Sequence, residues 1–291
     1  MKAILVHYCQ YFYKRLDICF GAGFFILLIF IAIFAPELAP HAANEQDLFN
    51  VLLPPAWYEE GISDYPLGTD GLGQCILSRL LYGSQVVVII GTLVPIGAAL
   101  LGTVLALLGG YFGGWIDWII SRFVETWQSF PAVVLALILM IALSPSLTNV
   151  IISIILVDWA RFCKVLRADV IVIRRKDYVT AARISGASAL SVIWREVVPG
   201  IIPTLVSLIT LEIAIAIVAE SILSFVGQSV GTERASWGTM ISDGLGSMYS
   251  SVYPLLIPIL AMILTVLAAT FLGQGMQQLL SNHFSNRSTK G

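Results

Sequence analysis

The sequence predicts an all-α, polytopic membrane protein with six transmembrane helices, and three observations carry that expectation. Its residues are 58% hydrophobic and only 12% charged, with a mean hydropathy of +0.88, whereas a soluble domain holds about a quarter charged residues. Apolar runs of roughly twenty residues, enough to cross a bilayer core as a helix, recur along the chain. All but two of the 16 Lys and Arg residues, the exceptions being Arg79 and Arg234, fall on one side of those runs.

The first span covers 18–34 and is closed by Pro36 and Pro40. Lys14 and Arg15 precede it and no small-residue cleavage site follows, so it is expected to stay in place as an anchor, with 1–17 as an N-terminal segment. Residues 37–85 then form a polar, acidic loop domain, in which Leu67-Gly68-Thr69-Asp70-Gly71-Leu72-Gly73 turns into a short helical segment at 76–82. A five-helix core follows over 86–272. Its first span, 86–108, carries Gly91, Gly97 and Gly102, small residues that let helices approach closely in lipid. Gly109-Gly110-Tyr111-Phe112-Gly113-Gly114-Trp115 is a tight return into a third span, 116–143, with Arg122, Glu125, Gln128 and Pro131 near its start. A fourth span, 150–162, holds Asp158 and leads into a basic loop, 163–200. The fifth, 201–226, holds Glu212 and Glu220. A polar loop, 228–253, contains Trp237-Gly238. The sixth span covers 254–272, and a polar tail occupies 273–291.

Counted on alternate sides, the cations place both termini and the basic loop in the cytoplasm by the positive-inside rule. The acidic loop domain and the Trp237 loop then face outward. The sparse charge excludes nucleic-acid binding as a main role.

Within the basic loop, 174–199 is the one long polar stretch. Asp177 is expected to cap a short helix and Gly186 to end it in the left-handed conformation. Ser188 is expected to cap a second helix, and Pro199 to stop it. Ala181, Ala182 and Ser185 offer a small-residue surface, with Tyr178 as an aromatic anchor and Arg183 and Arg195 as charged rim contacts for a partner.

Catalytic chemistry is absent from the pattern. His7, His41 and His283 stand apart from other ligands. The four cysteines lack metal-ligand spacing, so no metal or cofactor is expected. There is no H-E-x-x-H, G-x-S-x-G or G-x-x-x-x-G-K-[ST] sequence, which argues against a membrane enzyme and leaves ATP hydrolysis to another chain. Charged groups inside spans are costly. Arg122 and Glu125 are expected to pair on one helix face. Asp158, Glu212 and Glu220 either line a translocation path or bond between helices. If they relay protons, the chain is a proton-driven transporter.

Tyr178-Val179-Thr180-Ala181-Ala182-Arg183, then Gly186-Ala187-Ser188 and Pro199, resembles the cytoplasmic EAA loop of ATP-binding-cassette importer permeases. Leu67-Gly68-Thr69-Asp70, the Tyr111 to Trp115 run, Phe130-Pro131, Leu223-Ser224-Phe225 and Trp237-Gly238 occur in the same order in the second permease subunit of the dipeptide, oligopeptide and nickel importers. The resemblance implies a type I permease fold in the bacterial inner membrane. It implies a second homologous permease, two cytoplasmic ATPase subunits that bind ATP and Mg, and an extracytoplasmic solute-binding protein. It also implies that Tyr178, Thr180, Ala181, Ala182, Arg183, Ser185, Gly186, Ala187 and Ser188 couple to an ATPase subunit. The cargo it implies is a small peptide, with nickel, another metal chelate or an antimicrobial peptide as alternatives. Thr180 stands where the family usually has Glu, and Gln74-Cys75 where it usually has a charged pair.

Overall fold

The computed structural model describes residues 16–228, 230, 231 and 234–288. Lys2, His7, Cys9, Lys14, Arg15 and Lys290 lie outside the described residues. In chain order the helices are α1 (Leu16–Leu38), α2 (Ile76–Leu107), α3 (Gly114–Gln128), α4 (Ala132–Leu143), α5 (Leu147–Ile173), α6 (Asp177–Ile184), α7 (Ala189–Val192), α8 (Val198–Phe225), α9 (Trp237–Ser247) and α10 (Tyr253–Ser288). Among the described residues there is no strand, only an isolated bridge between Thr69 and Cys75.

Four helical stretches are long and apolar enough to cross a membrane: Ile18–Leu38, Ile76–Phe112, Ala189–Phe225 and Tyr253–Gln277. The third span expected from the sequence is instead a pair, α3 and α4, bent by 89°. Pro131 causes the break, since it has no N–H to donate and its ring clashes with the carbonyl four residues back. Its ψ of 128° sets it outside the helix that follows. Helix α5 has 27 residues, about 40 Å at 1.5 Å per residue. It runs well past the expected end at 162, and Asp158, Arg161 and Lys164 set it apart from the apolar stretches.

Two further differences have local causes. The segment at 76–82 is not separate but is the first turns of α2, which continues unbroken into the span. Pro199 does not stop a helix; it lies at the second position of α8, where a missing N–H costs little. A π-turn at Ile193–Val197 joins α7 to α8, and its wider spacing absorbs carbonyls that lose their usual donor.

The core is built where α2 crosses α5. A Cβ at Gly102 would come within 2.8 Å of the Trp159 carbonyl oxygen, so only glycine permits this approach, and Phe162, Cys163 and Leu166 are wholly buried beside it. Gly21 does the same for α1 on α10, where a Cβ would sit 2.7 Å from the Ala268 carbonyl. Leu27, Phe30, Ile33 and Phe34 of α1 are exposed on the chain's outside, as expected of a helix apolar on all faces.

Candidate functional site

The helix bundle has two differently built ends. At the basic end, α6 begins after Lys176, and Asp177 lies in its first turn without making the expected side-chain cap. The C-terminus forms as expected. Gly186 has φ +82°, its N–H donates to the Arg183 carbonyl at 3.0 Å, and the Ala187 N–H donates to the Ala182 carbonyl at 3.2 Å. This pair of bonds is the Schellman arrangement that requires a left-handed residue. The Ser188 hydroxyl accepts from the Ser191 N–H at 3.3 Å and caps α7.

Val179 is fully buried and pins α6 to a cluster with Tyr111, Ile173, Val192 and Val197. Its opposite face is open: Thr180, Ala181, Ser185 and Ala187 are exposed, and Ala182 is half-buried. Tyr178 is 45% exposed, and burial of the rest of its ring pushes the hydroxyl above the ordinary tyrosine value, with Glu196 adding to the effect. Ile184, Leu190 and Trp194 are likewise open, at 83%, 67% and 63% exposure, and were not singled out from the sequence. The signal available there was three large apolar residues in an otherwise small and polar stretch.

Arginines fasten this unit to the Tyr111 turn. Arg174 donates through Nη1 to the carbonyls of Gly110 at 2.9 Å and Tyr111 at 3.0 Å. Arg183 is not a free rim group: its guanidinium lies 4.6 Å from the centre of the Tyr111 ring, a cation–π contact. Arg167 of α5 pairs with Asp117 of α3 through both carboxylate oxygens. Of these contacts only that of Arg183 belongs to α6; Arg174 and Arg167 fasten α5 to the Tyr111 turn and to α3.

Asp158, Glu212 and Glu220 do not share one site. Glu212 is wholly buried and pairs with Arg161 of α5, and Asp158 lies 4.0 Å from the same guanidinium. Glu220 accepts a hydrogen bond from the Ser224 hydroxyl at 2.6 Å, and Ser224 lies 3.2 Å from the Ser236 hydroxyl. Ser236 in turn caps α9. Arg122 and Glu125 pair at 2.7 Å on the surface, as expected from their spacing.

At the other end, motifs far apart in sequence converge. The Asp70 carboxylate accepts from the N–H groups of Leu72 and Gln74, each at 2.9 Å, and from Arg79. Arg79 also donates to Asp243 of α9 at 3.2 Å. Trp237 donates from its indole N–H to the Leu80 carbonyl at 2.9 Å, and its ring fills the space a side chain at Gly83 would need. Gly238 lets α9 rest on α8, since a Cβ there would lie 2.8 Å from the Ser221 Cα. Arg79 is the residue that sequence reading missed: it was counted only as an exceptional cation, yet it joins the loop domain to α9. Among the described residues no group of three or more metal-ligating side chains comes together.

Residues 98–286 match the family described as binding-protein-dependent transport system inner membrane component. Residues 19–55 match the N-terminal transmembrane domain of oligopeptide transport permease C. The chain is 33% identical over 279 residues to the dipeptide transport system permease protein of Haemophilus influenzae, covering 96% of this chain and 95% of that one. It is 35% identical to the protein of the same description from Escherichia coli, covering 95% and 92%. It is 30% identical to a glutathione transport system permease protein of Pectobacterium atrosepticum, covering 92% and 88%. A solved amino acid ABC transporter chain superimposes with a TM-score of 0.53 over 69% of this chain and 93% of its own, at 16% identity; that likeness speaks to fold alone.

Proposed function

The chain belongs to the family of binding-protein-dependent transport system inner membrane components, and from this premise we propose that it is the second permease subunit of an ATP-driven importer that carries a small peptide inward. The observation that carries the reading is its likeness, over nearly its whole length, to dipeptide permeases. In this reading the chain forms half of a translocation pathway and a second, related permease forms the other half. Two cytoplasmic subunits bind ATP and Mg and hydrolyse the nucleotide, and an extracytoplasmic binding protein delivers the cargo.

Positive-inside counting supports both termini and α6 in the cytoplasm, with the Arg79 end outward. The residues Tyr178 to Ser188 are the coupling unit: the open face of α6, together with Ile184, Leu190 and Trp194, docks on an ATPase subunit. Closure of the ATPase pair then displaces α6, and Arg174, Arg183 and Arg167 pass that displacement to α2, α3 and α5. Asp158, Glu212 and Glu220 are the polar members of this half-pathway, their bonds keeping α5, α8 and α9 in register.

The test is uptake of labelled dialanine by the assembled importer in proteoliposomes, with the binding protein supplied outside. Uptake that requires ATP on the side of α6 is the expected result. Uptake that ignores ATP and follows an imposed proton gradient would overturn the reading.

A further inference from the structure

At the Arg79 end the structure holds a cavity of about 690 Å³ between the loop domain, the Pro145 turn after α4, the end of α8 and α9. That volume lies within the range of about 300–1,000 Å³ usual for small-ligand sites. A second cavity of about 400 Å³ adjoins it, sharing Asn44 and Arg234. We infer that this cavity is a receiving subsite for the charged termini and backbone of a zwitterionic peptide; the inference rests on the peptide-importer reading and deepens it.

Three features carry it. First, the lining carries charges of both signs. Among the described residues Arg79, Arg234 and Asp243 line the cavity; Asp70, outside the lining, neutralises Arg79, which leaves Arg234 and Asp243 as one cation and one anion toward a ligand. A ligand with separated opposite charges and no net charge is the match for such a lining, because either simple ion leaves one of the two signs unanswered. Second, the remaining polar lining consists of amides and hydroxyls, among them Gln46, Gln74, Thr239 and Ser242. These groups both donate and accept, so they can pair with peptide N–H and C=O groups whatever the cargo's side chains are. Among the described residues Leu72 and Pro145 are the only sizeable apolar members of the lining, which disfavours an apolar occupant.

Third, Arg79 is more than nine-tenths buried and held by Asp70, so the charges open to a ligand are those of Asp243 and Arg234. Asp243, half exposed on the same guanidinium, faces an incoming ammonium group. Arg234, which is exposed, answers an incoming carboxylate.

The experiment uses the assembled importer purified without its binding protein, with dialanine as probe and N-acetyl-dialanine amide as the capped control, and reads binding by titration calorimetry. Dialanine is expected to bind and the capped form to bind about tenfold more weakly or less. Arg234→Gln and Asp243→Asn are each expected to weaken dialanine binding about tenfold, the loss of one charge-assisted hydrogen bond. Matching elution volumes and melting temperatures exclude misfolding, and Arg234→Gln, at an exposed position, decides the question if Asp243→Asn is unstable. Equal affinity for free and capped peptide, wild-type affinity in Arg234→Gln, or no binding of dialanine overturns the subsite. Uptake separates the two readings. Dialanine import at normal KM in the variants sinks the subsite and leaves the peptide importer standing. A wild-type importer that binds dialanine here but imports no peptide sinks the importer reading alone.

Discussion

Gly186 illustrates how one residue acquires its constraint. A side chain there would meet nothing within 4 Å, so space is not the issue; its φ of +82° is. An L side chain in that conformation costs about 1–2 kcal/mol, enough to loosen the end of α6 without unfolding the chain. Gly186→Leu is therefore expected to reach the membrane at normal levels and to retain ATP hydrolysis by its partners, while uptake falls; measuring both rates on the same proteoliposomes checks this. Asp47, in the loop domain, shows a pH-dependent residue. Its carboxyl is held below the ordinary value, first by the Asn50 amide and next by the Phe49 N–H. A depressed folded value means the contribution is present above the ordinary carboxylate value, near pH 4, and fades as pH falls through the lowered one. Limited proteolysis of the loop domain is expected to accelerate over that acidic window in the wild type and to show no such step in Asp47→Asn.

At the level of elements, α6 and the Arg79 latch do opposite work. Helix α6 is held by one buried residue, Val179, and by the contact of Arg183 with Tyr111, leaving its outer face bare. Trp194→Ala is expected to leave the melting temperature unchanged, since the side chain is 63% exposed. It should reduce retention of the ATPase subunits on affinity purification at least tenfold, the scale of an interface hot spot. The latch is buried. Arg79→Met leaves Asp70 without its counter-charge, and breaking such a pair costs about 3–5 kcal/mol. A clear drop in the melting temperature of the detergent-purified protein is expected, with partial recovery in Arg79→Met/Asp70→Asn.

For the whole molecule, the question is which force drives the motion. The internal acids have partners within the chain: Glu212 has Arg161, and Glu220 has Ser224. Under an ATP-driven mechanism, Glu212→Gln is expected to lower stability by leaving Arg161 less well compensated. Uptake by the protein that folds should still depend on ATP and be indifferent to collapse of a proton gradient. Loss of proton sensitivity only in this variant would require a proton gradient to matter in the wild type, which an ionophore added to wild-type proteoliposomes tests directly.

The sequence by itself determined the membrane class, the near-total bias of Lys and Arg to one side, and the polar segment 174–199 with its Gly186 terminus and Ser188 cap. These are legible because hydropathy, charge placement and glycine's backbone freedom are local properties. It did not reveal that Pro131 divides a span by 89° while Pro199 is carried through one. The two prolines look alike in sequence, and a π-turn distinguishes them only in three dimensions. Arg183 read as a rim charge and proved to stack on Tyr111, and Arg79 read as a stray cation and proved to join Asp70 to Asp243. Those roles belong to pairs up to 164 residues apart, and only the packing of α2 against α8 and α9 brings the groups together so that a buried charge finds its partners.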